Sequence, residues 1–281
     1  MIIFPNCKIN LGLRIVRKRN DGYHDLETVF YPIPLCDVLE IIRDPQHQQI
    51  NTTTVQFSTT GISVDGNIQD NICIKAFNLL QKDFPQLPAI QMHLHKAIPI
   101  GAGLGGGSSD AAFTLSLLNK QFNLDLRREQ LVNYALQLGS DCPFFIINTP
   151  CYATSRGEVM EPVTTGLDAY KIIIVNPGIH INTGQAFSNI TPALPAKSLK
   201  DIVRQPIETW KDEMINDFEK PIFKLHPEIE QIKNKLYHDG ASYASMSGSG
   251  STVYGIFEKT KKADTNFPST YFVKELQSYL S

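Results

Sequence analysis

Five glycines fall within residues 101–107, in the run Pro99-Ile100-Gly101-Ala102-Gly103-Leu104-Gly105-Gly106-Gly107-Ser108-Ser109-Asp110. Glycine loses more conformational freedom on folding than any other residue, so such a run weakens whatever element contains it. It persists where the backbone must take a positive φ or approach something closely. Residues 90–97 before it alternate as a strand, and residues 110–122 after it carry the period of a helix. The amide groups of the run would then gather at a helix N-terminus, which carries about half a positive charge and unpaired donors. That is a cradle for an anion such as phosphate. A flexible linker is the competing reading, but linkers rarely sit squarely between a strand and a helix.

Several phosphate-binding classes are excluded by what the sequence lacks. Gly101, Gly103 and Gly106 satisfy G-x-G-x-x-G, a weak pattern on its own. The dinucleotide reading needs an acidic residue ending a second strand about 20 residues on. Asp125 has nearly that spacing, but it stands in Asn123-Leu124-Asp125-Leu126, between two expected helices. No Lys-Ser or Lys-Thr follows the glycines, as a P-loop requires, and the His-Arg-Asp and Asp-Phe-Gly of protein kinases are absent.

Charge narrows the partners. The 281-residue chain has 26 Lys plus Arg against 28 Asp plus Glu, a formal net charge of −2. That balance argues against a nucleic-acid binder. The five cysteines, Cys7, Cys36, Cys73, Cys142 and Cys151, form no C-x-x-C pair and read as reduced thiols of a cytoplasmic protein. Met1-Ile2-Ile3-Phe4-Pro5 has no basic region of the signal-peptide kind. The apolar stretch Pro143-Phe144-Phe145-Ile146-Ile147 is far shorter than the about 18 residues of a membrane span. His47, His93, His95, His180, His226 and His238 show no metal-ligand spacing and read as ordinary residues, His93 and His95 sharing one strand face.

Strands are expected over residues 7–16, 37–43, 52–58, 90–97, 171–175 and 252–257. Helices are expected from the Asp70-Asn71 cap to 83, and over 110–122, 127–138, 210–223 and 227–238. This irregular mixture predicts an α+β protein rather than a doubly wound parallel sheet. A change of character near residue 152 divides the chain into expected domains 1–152 and 153–281.

Pro-x-Gly-x-Gly-Leu-Gly-Gly-Gly-Ser-Ser resembles the phosphate loop of the galactokinase–homoserine kinase–mevalonate kinase (GHMP) superfamily. Further segments are similar to one family within it, the 4-diphosphocytidyl-2-C-methyl-D-erythritol kinases of the non-mevalonate isoprenoid pathway. These are Lys8-Ile9-Asn10-Leu11-Gly12-Leu13, Arg19-Asn20-Asp21-Gly22-Tyr23-His24, Leu138-Gly139-Ser140-Asp141-Cys142-Pro143-Phe144 and Met246-Ser247-Gly248-Ser249-Gly250-Ser251. They stand in the family's order along nearly the whole chain.

The resemblance implies a two-domain GHMP-kinase fold of α+β class with the active site in the cleft between the domains. It implies ATP phosphates held by Pro99, Ile100, Gly101, Ala102, Gly103, Leu104, Gly105, Gly106, Gly107, Ser108 and Ser109, with Mg²⁺ accompanying ATP. Asp141 would be the catalytic base for the acceptor hydroxyl, and Lys8 its electrostatic partner. Tyr23, His24 and Phe187 would form the cytidine pocket of a cytidine diphosphate alcohol, with Asn10 and Thr183 as polar contacts. Taken alone, Asp141 reads as a helix cap, Lys8 as a snorkelling edge lysine, Tyr23 and His24 as a surface turn, and Phe187 as a core residue. Ala102, Asp110 and Ser140 depart from the family's commonest residues, and Asp110 is expected in the first helical turn. A homoserine or mevalonate kinase, a non-catalytic nucleotide-binding regulator and a nicotinamide-dependent oxidoreductase are the rival readings. A monomer or homodimer is expected, without nucleic-acid or membrane partners.

Overall fold

The computed structural model describes residues 1–44, 55–64, 66–188 and 190–277. His47 and residues 52–54 of one expected strand lie outside the described residues.

The first half contains β1 (Ile2–Ile3), β2 (Asn6–Lys18), β3 (His24–Cys36), β4 (Val38–Arg43), β5 (Val55–Gly61), α1 (Ile72–Asp83), β6 (Ile90–Lys96), α2 (Gly106–Phe122), α3 (Arg128–Leu138) and α4 (Cys142–Ile147). There follow β7 (Cys151–Ser155), β8 (Val159–Pro162), β9 (Tyr170–Asn176), α5 (Thr183–Ser188), α6 (Leu199–Ile202), α7 (Trp210–Glu213), α8 (Glu219–Leu225), α9 (Pro227–His238), β10 (Tyr243–Met246), β11 (Val253–Glu258) and β12 (Phe272–Gln277). The chain forms two compact units. The first comprises Met1–Cys7, Leu35–Ile100 and Gly106–Asn148; the second comprises Lys8–Pro34, Gly101–Gly105 and Thr149–Ser281. These units interleave along the sequence, whereas the expected division at 152/153 is consecutive.

The first unit is a sheet of order β1-β4-β6-β5 covered by helices. Along β6 the side chains of Ile90, Met92, Leu94 and Lys96 are buried, as the two-residue period of a strand dictates. Gln91, His93 and His95 take the other face, where both histidines are hydrogen-bonded to Ser58 or Thr60 of β5. Asn71 caps α1 by accepting the Cys73 N–H at 2.9 Å. Cys73, Ala76, Phe77 and Leu80 then recur at helical spacing and bury against Leu39, Ile41 and Met92 of the sheet and Leu115 and Leu118 of α2. Each large side chain of this core contributes about 1.5–3 kcal/mol of burial. Strand β5 is parallel to β6, so α1 is the crossover that parallel pairing requires.

The second unit holds two sheets, β10-β11-β9-β12 and β2-β3-β7-β8. Helices α8 and α9 bury Ile222, Ile229, Ile232 and Leu236 with Ile173 and Val175 of β9 and Val253 and Phe257 of β11. The turn Arg19-Asn20-Asp21-Gly22-Tyr23 links β2 to its neighbour β3, with the Arg19 N–H donating to the Tyr23 carbonyl at 2.8 Å.

Four local expectations change. Strand β3 occupies a stretch where no strand is expected. Its Pro32 and Pro34 hide it, yet both lie beyond the segment Leu26 to Phe30 that pairs with β7. Strand β12 lies in the expected tail and pairs with β9. The single helix expected over 210–223 is two, α7 and α8. Between them Asn216 makes a bridge to Leu13, donates to the Met246 and Gly248 carbonyls and accepts from the Phe218 N–H. Helix α2 begins at Gly106, four residues before the expected start, so Asp110 lies beyond its first turn.

Candidate active site

Within the second unit the glycine run takes a left-handed step at every other residue: φ is +66° at Gly101, +82° at Gly103 and +69° at Gly105. The alternate side chains, Ala102 and Leu104, are buried. The stretch is therefore an anchored loop and not a linker. Its brace is the Gly-Ser turn that follows β10. The Ser247 hydroxyl donates to the Gly103 carbonyl at 2.8 Å, and the Thr252 N–H donates to the Ala102 carbonyl at 3.3 Å. A Cβ at Gly103 would collide with the Ser247 carbonyl, and one at Gly250 with the Ala102–Gly103 peptide.

Lys8 reaches the same loop. Its backbone N–H donates to the Leu104 carbonyl at 3.0 Å, and its ammonium donates to Gly103 O at 3.4 Å and to the Asn10 side-chain oxygen at 2.6 Å. The ammonium also stands 5.1 Å from the centre of the Phe30 ring. Lys8 is only 4% exposed, so it is a held internal cation and not a snorkelling edge lysine. Asn10 is buried too, its amide N–H donating to the Thr28 hydroxyl at 3.0 Å. Its side chain positions Lys8.

Three of the expected acceptor residues, His24, Phe187 and Thr183, form a second cluster in this unit. The His24 and Phe187 rings stack at 5.0 Å between centroids and 20° between planes. Phe187 meets Phe218 edge-on at 4.8 Å. Tyr23 is exposed, with the Arg156 guanidinium 5.3 Å from its ring centre. Phe187 and Thr183 share the short helix α5, and the Ser249 hydroxyl bonds Thr183 Oγ1 at 3.3 Å. One contact chain thus runs from His24 through Phe187, α5 and the Gly-Ser turn to Gly103 and Lys8.

Pro99, Ile100, Gly106, Gly107, Ser108, Ser109 and Asp141 belong to the first unit. Gly107 opens α2 with no heavy atom within 4 Å of where a Cβ would stand. Ser108 is half-buried and hydrogen-bonded to the buried Cys142. Ser109 is fully buried, and its hydroxyl donates to the Asn6 carbonyl at 2.6 Å. Its hydroxyl fixes α2 against the start of β2. Asp141 precedes α4, and its side chain makes no cap hydrogen bond. The capping reading of this residue is thereby removed.

The flanks of the run are tied by a buried charge cluster that sequence spacing did not reveal. Asp37 accepts the Ala97 and Ile98 N–H groups at 2.6 and 2.9 Å and pairs with Lys96, which also donates to Asp110 at 2.7 Å. Lys96 is therefore held internally. Burial pushes the Asp110 carboxyl up to about 7, against the pull of Lys96 and with help from Asp37. The usual carboxylate value is 3.8. The folded chain thus keeps a proton that the unfolded chain releases. The stability this confers is complete below about pH 4 and is lost as pH rises through 7. Asp110→Asn can still accept from Lys96 but never ionises. Thermal melts should show a gain of about 3–8 °C at pH 8 and little change at pH 4. An equal shift at both pH values would contradict this account.

The residues that reasoning from the sequence passed over are supports. Asn216 brackets Ser247 by donating to the carbonyls on either side of it. Glu219 accepts the Met246 N–H and the Ser245 hydroxyl, both at 2.9 Å, and pairs with Lys233. Neither carries a sequence signal, because both stand among Asp212, Glu213, Asp217 and Lys220, where polar residues are ordinary.

The chain is similar to known proteins in both its halves. Residues 71–148 match the family described as GHMP kinases N terminal domain, and residues 198–265 match GHMP kinases C terminal. The proteins named 4-diphosphocytidyl-2-C-methyl-D-erythritol kinase from Azobacteroides pseudotrichonymphae and Parabacteroides distasonis are each 51% identical to this chain. Those matches cover 92% of this chain, and 94% and 92% of the respective relatives. A crystal structure of 4-(cytidine 5'-diphospho)-2C-methyl-D-erythritol kinase superposes with a TM-score of 0.75 at 28% identity, covering 91% of this chain and 90% of that one. Homoserine kinase from Cytophaga hutchinsonii gives a TM-score of 0.70 at 12% identity, covering 97% and 94%, a likeness of fold alone. The expected α+β GHMP-kinase fold is borne out. The chain belongs to the 4-diphosphocytidyl-2-C-methyl-D-erythritol kinase family of the GHMP kinases.

Proposed function

We propose that this chain transfers the γ-phosphoryl group of ATP to the 2-hydroxyl of 4-diphosphocytidyl-2-C-methyl-D-erythritol, in the non-mevalonate isoprenoid pathway. The observation that carries the reading is the held ammonium of Lys8 on the carbonyl of Gly103, within a loop whose other supports are all neutral. Phosphoryl transfer requires positioning and charge neutralisation more than covalent chemistry by the protein. Amides of the glycine loop and the first turn of α2 would hold the ATP phosphates. Lys8 would offset charge on the moving phosphoryl group, and Asp141 would take the proton of the attacking hydroxyl. His24, Phe187 and Tyr23 offer ring faces and a polar edge suited to a pyrimidine, and Thr183 adds a hydroxyl. The His24–Phe187 stack leaves no space for a base between those two rings, so the base would lie on an outer face of the pair or on Tyr23.

Among the described residues no group of three or more His, Cys, Asp or Glu side chains could hold a metal ion. Mg²⁺ would arrive on the phosphate oxygens of ATP. Among the described residues no helix is long and apolar enough to cross a membrane, and none of the five cysteines forms a disulfide. A cytoplasmic monomer or homodimer, with an ATP-binding domain 1–152 and a second domain 153–281, completes the proposal.

The test is ATP consumption with three acceptors. The cytidine diphosphate alcohol should be turned over, and homoserine and mevalonate should not. Turnover of homoserine or mevalonate alone would refute the substrate assignment.

A further inference from the structure

The sequence marks His180 as an ordinary residue, at the surface or partly buried. The structure sets it beside the glycine loop: a Cβ on Gly101 would stand 3.4 Å from His180 Nδ1 and 3.7 Å from its Cε1. The imidazole is exposed, and among the described residues no hydrogen bond engages it. Its backbone, by contrast, is fixed on both sides. The Ile179 carbonyl accepts the Ser251 hydroxyl at 2.6 Å, and the Ile181 side chain is buried in the core of the second unit. Two residues before Gly178, Asn176 accepts the Gly178 N–H at 2.9 Å and donates to Ser251 and Thr252. The backbone therefore sets the ring beside the loop, and its nitrogens are left open to a ligand.

The position of His180 in the chain adds to this. It lies three residues before Thr183 and seven before Phe187, and Thr183 touches the same Gly-Ser turn that braces Gly103. His180 therefore stands between the loop and the acceptor-side helix. The loop segment Gly101–Gly105 has no cationic or hydrogen-bonding side chain of its own. A neutral imidazole carries one N–H donor and an imidazolium two, and both suit a phosphoryl oxygen.

We propose that His180 is a binding residue of this site, donating an imidazole N–H to a phosphoryl oxygen of a substrate lying along Gly101–Gly105. The inference rests on the reading of the glycine loop as a phosphate cradle. The phosphate belongs either to ATP or to the diphosphate of the acceptor, and kinetics separates the two.

His180→Ala and His180→Leu should each raise one KM by about 10-fold or more, with kcat changed less than about threefold. A rise in the KM for ATP assigns the contact to the nucleotide; a rise in the KM for the cytidine diphosphate alcohol assigns it to the acceptor. His180→Gln, which keeps an N–H donor, should recover most of the loss. Unchanged KM values in the alanine and leucine variants would overturn the proposal, as would a glutamine variant no better than leucine. Calorimetry of the unsubstituted protein with ATP and with cytidine diphosphate tests the underlying reading separately. If neither ligand binds, the phosphate cradle itself is refuted and the role of His180 falls with it.

Discussion

Asp141→Asn is expected to lower kcat by about 10²–10⁴-fold while ATP binding stays within about twofold of the original. The substitution is nearly isosteric, and it removes the negative charge and with it the capacity to accept a proton. Ordinarily an aspartate just before a helix is a cap, and losing it costs about 1 kcal/mol of stability. That cost does not arise here, because Asp141 makes no cap hydrogen bond to α4. The two roles therefore predict different measurements. A base gives a large kcat loss with an unchanged melting temperature. A structural aspartate gives a lower melting temperature with kcat reduced only in proportion to the folded fraction. A 10²–10⁴-fold loss corresponds to about 3–5 kcal/mol of transition-state stabilisation. Steady-state turnover with the cytidine diphosphate alcohol, beside calorimetric ATP binding, reads both quantities. Turnover within about threefold of the original protein would remove Asp141 from the base role.

The contrast between Asp141 and Asp110 marks how far the site was legible in the sequence. Periodicity and capping act between near neighbours, so α1 with its Asn71 cap, β6 with its alternating face, and α9 could all be read from local pattern. The glycine run was legible because its composition is costly in any other setting. Asp110 was misplaced for a physical reason. Glycines are poor helix formers, so the first turn of α2, Gly106 to Ser109, reads as loop and the period of the helix becomes visible only from Asp110. Its partner Lys96 lies 14 residues away and Asp37 lies 59 residues from Lys96, separations at which no periodic signal survives. The same distance hid the brace on the loop, since Ser247 is 144 residues from Gly103. A motif could be seen at each position, but that one motif holds the other in shape is visible only in three dimensions.

Two residues of the glycine run should respond to alanine in opposite directions, and the pair separates fold from function. At Gly103 the backbone has φ +82° and a Cβ would run into the Ser247 carbonyl. The left-handed conformation costs an L-residue about 1–2 kcal/mol, and the forced displacement adds about 1–3 kcal/mol. Gly103→Ala should lower the melting temperature by about 5–15 °C and release the carbonyl that holds both Lys8 and Ser247. At Gly107 the backbone is helical and nothing stands within 4 Å of a Cβ. By helix propensity alone Gly107→Ala should stabilise the fold by up to about 1 kcal/mol. A glycine kept at a position where the protein has room for a methyl group implies that something else comes close. If that is a phosphate of ATP, Gly107→Ala should melt no lower than the original protein yet raise the KM for ATP by about 10-fold or more, through lost close approach to the amides of α2. A Gly107→Ala protein with unchanged affinity for ATP would mean that the first turn of α2 does not carry the nucleotide. The held loop of the second unit, with Lys8 on Gly103, would then have to carry the phosphates without it.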